Sequence, residues 1–186
     1  MLIPILAVTI RLVWLSLELL FSRRYRIKPA KDWDRHSAKA WDAANLLEPI
    51  GLILGFIGIG QIITASYLIR PIGLTLLMTG IIIRLSAIRT LGKYFTGTVL
   101  IRTDHQLIRS GVYKHIRHPT YTGALLAHLG LGLSFSNWFS LGFSSVPFFI
   151  AAVYRMHVED QALRDAFGQQ YLQYSLTRKR LIPKVY

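Results

Sequence analysis

Five apolar runs constrain this chain more than any other feature. They cover residues 2–21, 49–69, 71–88, 121–136 and 138–154. A spanning helix needs roughly 20 mostly apolar residues, and a backbone buried in lipid must satisfy its own hydrogen bonds. The sequence therefore predicts an all-α polytopic integral membrane protein with about five transmembrane helices, the last two forming a tight C-terminal hairpin.

The basic residues cluster in three stretches that lie between or after the apolar runs. Of the 186 residues, 52% are apolar and the net charge is +13, a balance that excludes a disordered chain. Twenty of the 22 Lys and Arg residues lie in the stretches 22–47, 84–119 and 155–186. With five spans these stretches share one side, which the positive-inside rule makes cytoplasmic. We therefore expect an external N-terminus, a cytoplasmic C-terminus, membrane lipids rather than nucleic acid as partners, and the inner membrane if the cell is prokaryotic.

Several residues inside or between the apolar runs predict how the helices pack. Arg11 and Glu18 lie within the first run, where charges are costly, so we expect them to pair either with each other or with residues of other helices. Gly51 and Gly55 have the spacing that allows close helix packing. The Arg70-Pro71 pair predicts a minimal turn between the second and third helices, because proline is tolerated at a helix start.

The first polar segment with chemical potential runs from His105 to Gly123. It combines glycines, aromatic rings and imidazoles, and it leads directly into an apolar run. Pro119 predicts the first turn of a helix and pushes His118 out of the α region. The free backbone N–H groups there, together with Arg117, predict an anion site. The alternative is a basic collar that contacts lipid headgroups.

The second segment follows the last apolar run and contains Arg155 and Glu159. Arg can hold a carboxylate with two parallel hydrogen bonds, and Glu can accept from a cationic group. The alternative is a solvated salt bridge between residues four apart on one helix face. Together the two segments offer both signs of charge, as a zwitterionic cofactor requires. No spacing predicts a metal site, and the chain contains no cysteine.

The order of these motifs is similar to that of a known enzyme family. The run from His105 to Gly123 matches H-x-L-x3-G-x-Y-x3-RHP-x-Y-x-G, and an Arg-x3-Glu pair follows at 155–159. FGxxYxxY at 167–174 and RLIP at 180–183 complete the series. In these residues the chain resembles the isoprenylcysteine carboxyl methyltransferase family and the wider group that includes phospholipid methyltransferases.

The resemblance covers about residues 80–186 and implies roles for individual residues. It implies that S-adenosylmethionine is bound by His105, Gln106, Leu107, Ile108, Tyr113, His118, Pro119, Thr120, Tyr121 and Glu159. It also implies that Arg155 holds the substrate carboxylate, so that Arg155 and Glu159 are the expected catalytic residues. Two positions depart from the family pattern: Asp160 replaces a second Glu, and Thr98 lies near the place of a family Gln.

The function implied by the resemblance is that of a membrane-embedded S-adenosylmethionine-dependent methyltransferase. The expected reaction is methyl esterification of a carboxylate on a prenylated or similarly hydrophobic molecule. A phospholipid amine methyltransferase, an NADPH-dependent membrane reductase and a non-catalytic membrane scaffold stay open as alternatives. We expect a single membrane domain over 1–186, with three helices in 1–88 and the catalytic half in 89–186.

Overall fold

The fold consists of helices joined by short irregular segments. The computed structural model describes residues 1–24, 33–183 and 185, apart from the side chains of 22–24. These residues form five long helices and one short one: α1 (Leu2–Arg24), α2 (Ser37–Phe56), α3 (Ser66–Leu91), α4 (Pro119–Ser134), α5 (Trp138–Phe167) and α6 (Gln169–Thr177). No named strand forms in this part of the chain, which agrees with the all-α prediction.

Three of these helices are long and apolar enough to cross a membrane. The stretches concerned are Leu2–Phe21, Ser66–Tyr94 and Trp138–Phe167. Many large apolar side chains on α1, α3 and α5 are exposed, as expected for surfaces that face lipid rather than water. The protein is therefore a multi-pass membrane protein.

The predicted boundary between the second and third helices was wrong. The structure ends α2 at Phe56 and begins α3 at Ser66, whereas the predicted second span covered 49–69. Gly58 and Gly60 adopt φ angles of 82° and 80°, a left-handed conformation that stops a helix and suits glycine. The turn expected at Arg70-Pro71 is absent, since both residues lie inside α3. Hydropathy missed this because the connecting loop is itself apolar.

The two turns at the end of the bundle remote from the basic stretches hold each other in place. The Ile62 amide donates to the Ser136 carbonyl (2.7 Å), and the Trp138 amide donates to the Gly60 carbonyl (2.9 Å). The Asn137 side chain caps α5 by accepting from the amide of Ser140 (3.0 Å). Only three residues separate α4 from α5, which confirms the predicted tight hairpin.

Glycines let α3 and α4 pack backbone against backbone. A Cβ added to Gly80 would lie 2.4 Å from the Ala127 nitrogen, and one added to Gly130 would lie 2.2 Å from the Leu77 nitrogen. Real Cβ atoms do not approach backbone this closely, so larger residues would force the helices apart. Small residues at such contacts are typical of membrane helix pairs.

The predicted packing role of Gly51 and Gly55 is confirmed. A Cβ on Gly51 would lie 2.5 Å from Cβ of Phe143, and one on Gly55 would lie 2.2 Å from Oγ of Ser140. The Ser140 hydroxyl also donates to the Gly51 carbonyl (2.9 Å). The two glycines therefore bring α2 against α5.

Arg11 and Glu18 of α1 form ion pairs with residues of other helices, one of the two arrangements predicted. Nε of Arg11 lies 3.0 Å from Oε1 of Glu48 in α2, and Nη2 of Arg84 in α3 donates to Oε2 of Glu18 (2.8 Å). His128 of α4 lies beside the first pair, with Nδ1 2.6 Å from the second Glu48 oxygen. These contacts connect four helices through buried polar groups.

The antiparallel order of the helices brings the basic stretches to one end of the bundle. The end of α1, the start of α2, the end of α3, the start of α4 and the end of α5 meet there. Among the predicted basic residues, those outside the described part of the chain are Arg26, Lys28, Lys31 and Lys184. The site described next lies at this end.

Candidate functional site

A cavity opens at the basic end of the bundle, between the segment that follows α3 and the ends of α4, α5 and α6. Eight of the ten predicted cofactor-binding residues line it: His105, Gln106, Leu107, Ile108, Tyr113, Thr120, Tyr121 and Glu159. Arg155 lines it as well. Further lining residues were not predicted to bind cofactor, among them Tyr94, Thr98, Arg117, Tyr171 and Tyr174. We call this space the cofactor cavity, after the role that the sequence predicts for these residues.

Local sequence explains how the motif reaches the cavity. Pro119 begins α4, and His118 before it has φ −124° and ψ 56°, outside the α region as predicted. The amide of Arg117 donates to the Lys179 carbonyl (2.8 Å), and the amide of His118 donates to the Arg180 carbonyl (3.0 Å). The C-terminal segment therefore holds Arg117 and His118 in place just before α4.

His105 presents a neutral aromatic surface. Its ring stacks on Tyr94 with centroids 4.7 Å apart and planes 21° apart, and it meets Phe167 edge-on at 5.7 Å. Burial lowers the pKa of His105 below its ordinary value, so the imidazole is uncharged at neutral pH. A flat, neutral aromatic group of this kind suits a planar heterocycle such as a purine.

Tyr113 and Tyr174 supply hydroxyl groups to the cavity wall. Burial raises the pKa of Tyr113 well above its ordinary value, so its hydroxyl remains a hydrogen-bond donor. Burial likewise raises the pKa of Tyr174 to about 12. The Tyr174 hydroxyl donates to the Tyr113 carbonyl (2.7 Å), which ties α6 to the turn at 111–114.

His118 and Pro119 are the two predicted cofactor residues that do not line the cavity. Both are buried, and Nε2 of His118 lies 2.8 Å from Oδ1 of Asp160, while Nδ1 lies 3.7 Å from Oε2 of Glu159. Through its contact with Glu159, His118 therefore touches one side chain of the cavity wall.

Asp160 connects the elements around the site. It accepts from the Tyr171 hydroxyl and from Nε of Arg180 (3.0 Å), in addition to its contact with His118. These partners belong to α6, the C-terminal segment and the RHP motif. Asp160, which departs from the family pattern, is therefore held by these three partners and does not line the cavity.

Arg155 is buried and does not form the salt bridge with Glu159 that its spacing allows. Instead, Nη1 of Arg155 lies 3.3 Å from Oδ1 of Asp34, Nε donates to the Tyr121 hydroxyl (3.1 Å), and Nη2 donates to the Gly97 carbonyl (2.5 Å). In the described part of the chain, the ion-pair partner of Arg155 is therefore Asp34. The Glu159 side chain keeps about a third of its surface exposed.

Asp34 is the main site residue that sequence reasoning missed. It accepts from the amides of Ala38 (2.8 Å) and Val99 (3.0 Å) as well as from Ser37. Burial alone would raise the pKa of Asp34, but these hydrogen bonds and the nearby Arg155 charge lower it. An acidic residue shortly before a helix is a known start signal. This signal could have predicted that Asp34 accepts from the first amides of α2, but not that it contacts Arg155.

A second cavity adjoins the first between α1, α2 and α3. Its own lining includes Leu15, Glu18, Trp41, Asn45, Arg84 and Gly97, and it shares Phe95, Thr96, Thr120, Tyr121 and Arg155 with the cofactor cavity. Nη1 of Arg84 donates to the Thr120 carbonyl (3.1 Å). The two spaces therefore adjoin at these shared residues, and we call the second one the inner cavity.

Comparison with known proteins identifies the family. The sequence pattern of the isoprenylcysteine carboxyl methyltransferase (ICMT) family matches residues 72–165. This chain belongs to that family. The match includes Arg155, Glu159 and the whole RHP motif, and it begins within α3, so α1 and α2 lie outside it.

Curated relatives and a solved structure agree with this assignment. The chain is 34% identical to protein-S-isoprenylcysteine O-methyltransferase B of Arabidopsis thaliana, over 70% of this chain and 66% of that one. It is 33% identical to the A protein of the same plant, with the same coverage. The fold matches the eukaryotic intramembrane Ras methyltransferase ICMT with a TM-score of 0.63 and 25% identity, over 78% of this chain and 52% of that one. The chain thus spans about half to two thirds of these relatives.

Proposed function

We propose that this chain is an S-adenosylmethionine-dependent methyltransferase that esterifies a carboxylate on a prenylated or similarly hydrophobic molecule. The observation that carries the proposal is the pair of adjoining cavities, which meet at Tyr121 and Arg155 within a bundle of membrane-spanning helices. One cavity would take the polar cofactor. The other would take a hydrophobic acceptor that enters from the bilayer, and isoprenylcysteine, after which the Arabidopsis relatives are named, belongs to this substrate class.

The residues of the cofactor cavity fit S-adenosylmethionine in their chemistry. The stacked rings of Tyr94 and His105 suit its adenine, and the exposed part of Glu159 suits a positively charged group. Arg117, whose side chain is largely buried, provides the opposite charge on the same cavity. Both signs of charge and an aromatic surface are what a zwitterionic adenosyl compound requires.

In this proposal the chain contributes position and exclusion of water more than acid–base catalysis. Bound S-adenosylmethionine supplies an electrophilic methyl group on a sulfonium centre. A carboxylate is already ionised near neutral pH, so the chain needs no general base to activate the acceptor. Alignment of the reacting groups then accounts for much of the rate enhancement.

Arg155 is the residue we propose to hold the acceptor carboxylate. Its Nη2 donates to the carbonyl of Gly97, which lines the inner cavity. We propose that a substrate carboxylate takes the place of this carbonyl, while Asp34 and Tyr121 keep the guanidinium in position. A charged acceptor forms a stronger hydrogen bond to Arg than a neutral carbonyl does.

The test is transfer of a labelled methyl group from the cofactor to a total membrane lipid extract or to a prenylated cysteine. We expect a base-labile label, and we expect Arg155→Gln to lose at least about 30-fold in acceptor labelling. Arg164→Gln, an exposed position on the same helix, is the matched control and should retain activity. A label that survives base would indicate an amine acceptor, and a folded protein that binds no S-adenosylmethionine by calorimetry would refute the proposal.

A further inference from the structure

An apolar groove runs along an exposed face of α5 toward the basic end of the bundle. On α5 its lining extends from Phe149 to Gln161, a rise of about 18 Å at 1.5 Å per residue. This length is close to the thickness of one hydrocarbon leaflet, about 15 Å. The groove shares no lining residue with the cofactor cavity or the inner cavity, so it is a separate surface.

The polarity of the groove changes from one end to the other. The part nearer the middle of α5 is lined by large apolar side chains, of which Phe149 is 54% exposed and Ile150 is 63% exposed. The part nearer the basic end is lined by the exposed side chains of His157 and Gln161. A phospholipid has the same order of groups, because its acyl chains lie in the hydrocarbon and its headgroup lies at the boundary.

Arg35 lies at the polar end of the groove without a counter-ion. Its Nη1 donates to Oε1 of Gln161 (2.9 Å), and none of the ion pairs among the described residues includes Arg35. The adjacent acidic residue, Asp34, is buried and pairs with Arg155. Of the described residues that line the groove, none is acidic. The groove therefore combines an exposed cation with an apolar surface and offers no carboxylate to a second cation.

A tight turn fixes Arg35 at this position. The Ser37 amide donates to the Asp34 carbonyl (2.8 Å). Between them, Arg35 and His36 adopt φ angles of 45° and 63°, which are unfavourable for residues other than glycine. The Tyr154 hydroxyl donates to the Arg35 carbonyl (2.7 Å) and so ties the turn to α5. The cation is therefore held at the groove by contacts on both sides.

We infer that this groove binds an anionic phospholipid, with an acyl chain against Phe149, Ile150 and Val153 and the phosphate on Arg35. His157 offers a ring N–H to the same headgroup. A zwitterionic phospholipid also carries a phosphate, but its ammonium would find no acidic partner among the described residues of the groove. The inference does not depend on the proposed function, because the groove lies outside both cavities.

The test measures lipid binding to the whole chain in detergent by native mass spectrometry. The two lipids are phosphatidylglycerol and phosphatidylcholine with identical acyl chains. We expect the unaltered protein to bind phosphatidylglycerol about fivefold more tightly, the usual effect of one cation beside an anionic headgroup. Arg35→Gln should remove this preference, whereas Arg35→Lys, which keeps the charge, should retain it.

Two further variants locate the lipid. Lys39→Gln is the matched control, because it removes an exposed charge that does not line the groove, and it should leave the preference intact. Ile150→Trp fills the apolar part of the groove and should weaken binding of phosphatidylglycerol although Arg35 is unchanged.

Four results would overturn the inference. The first is an unaltered protein with no preference between the two lipids, and the second is a preference that Arg35→Gln leaves in place. The third is an equal loss in Arg35→Gln and Lys39→Gln, which would indicate general attraction to the basic surface. The fourth is unchanged lipid binding in Ile150→Trp, or a protein dimer that this variant disrupts, since a second copy of the chain would then occupy the groove.

Discussion

Asp34 and Arg155 form a buried ion pair that joins the segment before α2 to the candidate site. Arg155 contacts Asp34 and Ser37 at one end of its guanidinium and Tyr121 and Gly97 at the other. Asp34 also accepts from the amide of Val99, in the segment that covers the cofactor cavity. A side chain held by this many partners has few orientations available, which favours a single position for a bound acceptor.

Replacing Asp34 should therefore impair use of the acceptor more than binding of the cofactor. In Asp34→Asn the buried Arg155 loses its counter-charge, and its guanidinium is no longer fixed. We expect KM for a prenylated carboxylate acceptor to rise about tenfold, which corresponds to about 1.4 kcal/mol, with calorimetric binding of S-adenosylhomocysteine unchanged. The matched control is Asp165→Asn at an exposed position on α5. A loss of cofactor binding with an unchanged acceptor KM would contradict this role.

The sequence specified the residues of the cofactor cavity better than it specified their partners. His105 and Tyr121 belong to a contiguous motif, so their proximity follows from the chain itself. Asp34 lies 121 residues from Arg155, and no local pattern links the two. The contact of His118 with Asp160 was equally hidden, because only the meeting of α4 and α5 brings the two side chains together.

At the scale of helices, close packing of α3 against α4 fixes the position of residues at the candidate site. Gly73 and Gly80 face Gly130 and Gly123 at separations that leave no room for a side chain. Such contacts bring Arg84 of α3 close enough to donate to the carbonyl of Thr120. The glycine spacing of seven residues in each helix keeps one face in contact over two turns.

Substitution within this glycine contact should destabilise the protein. A Cβ at Gly80 would lie 2.4 Å from the Ala127 nitrogen, so Gly80→Ala forces the helices apart. We expect a loss of about 1–3 kcal/mol in the free energy of unfolding, measured by thermal or denaturant unfolding in detergent. Gly142→Ala on α5 is the control, because nothing lies within 4 Å of the added atom, and it should be neutral or stabilising. Equal destabilisation by both substitutions would contradict the packing explanation.

The helix boundaries illustrate which elements a hydropathy pattern can locate. The hairpin of α4 and α5 was predicted because Asn137 and its polar neighbours interrupt the apolar run. The loop at 57–65 was missed because it contains four isoleucines and few polar residues. Its backbone is satisfied by the turn at Ser136 and Asn137, a contact that hydropathy does not describe.

For the molecule as a whole, the distribution of cations and the order of helices agree on two distinct ends. One end carries the basic segments and the cofactor cavity, and the other carries the paired turns at 57–65 and 135–137. We propose that all five long helices cross the membrane, with the N-terminus outside and the cofactor cavity in the cytoplasm. Glu18 and Trp41, from the first half of the chain, line the inner cavity. The inner cavity is the proposed acceptor site, so this site is not confined to 89–186.

Single cysteines can test this orientation, because the chain contains none. Thr64→Cys lies in the loop at 57–65, and Gln169→Cys lies at the start of α6, both at exposed positions. In intact cells or right-side-out vesicles, a membrane-impermeant maleimide should label Cys at 64 directly. It should label Cys at 169 only after permeabilisation. The reverse pattern would invert the topology, and labelling of both from one side would contradict an odd number of spans between them.

By itself, the sequence determined the membrane class, the helical fold, the clustering of the basic residues and nine of the residues that line the cofactor cavity. These properties depend on hydropathy, charge and contiguous motifs, all of which act over short distances along the chain. Only the tertiary structure decided the start of α2, the pairing of Arg155 with Asp34 and the contact of Arg35 with Gln161. Each of these depends on which distant segments meet, because burial and hydrogen-bond partners are set by contacts across the fold.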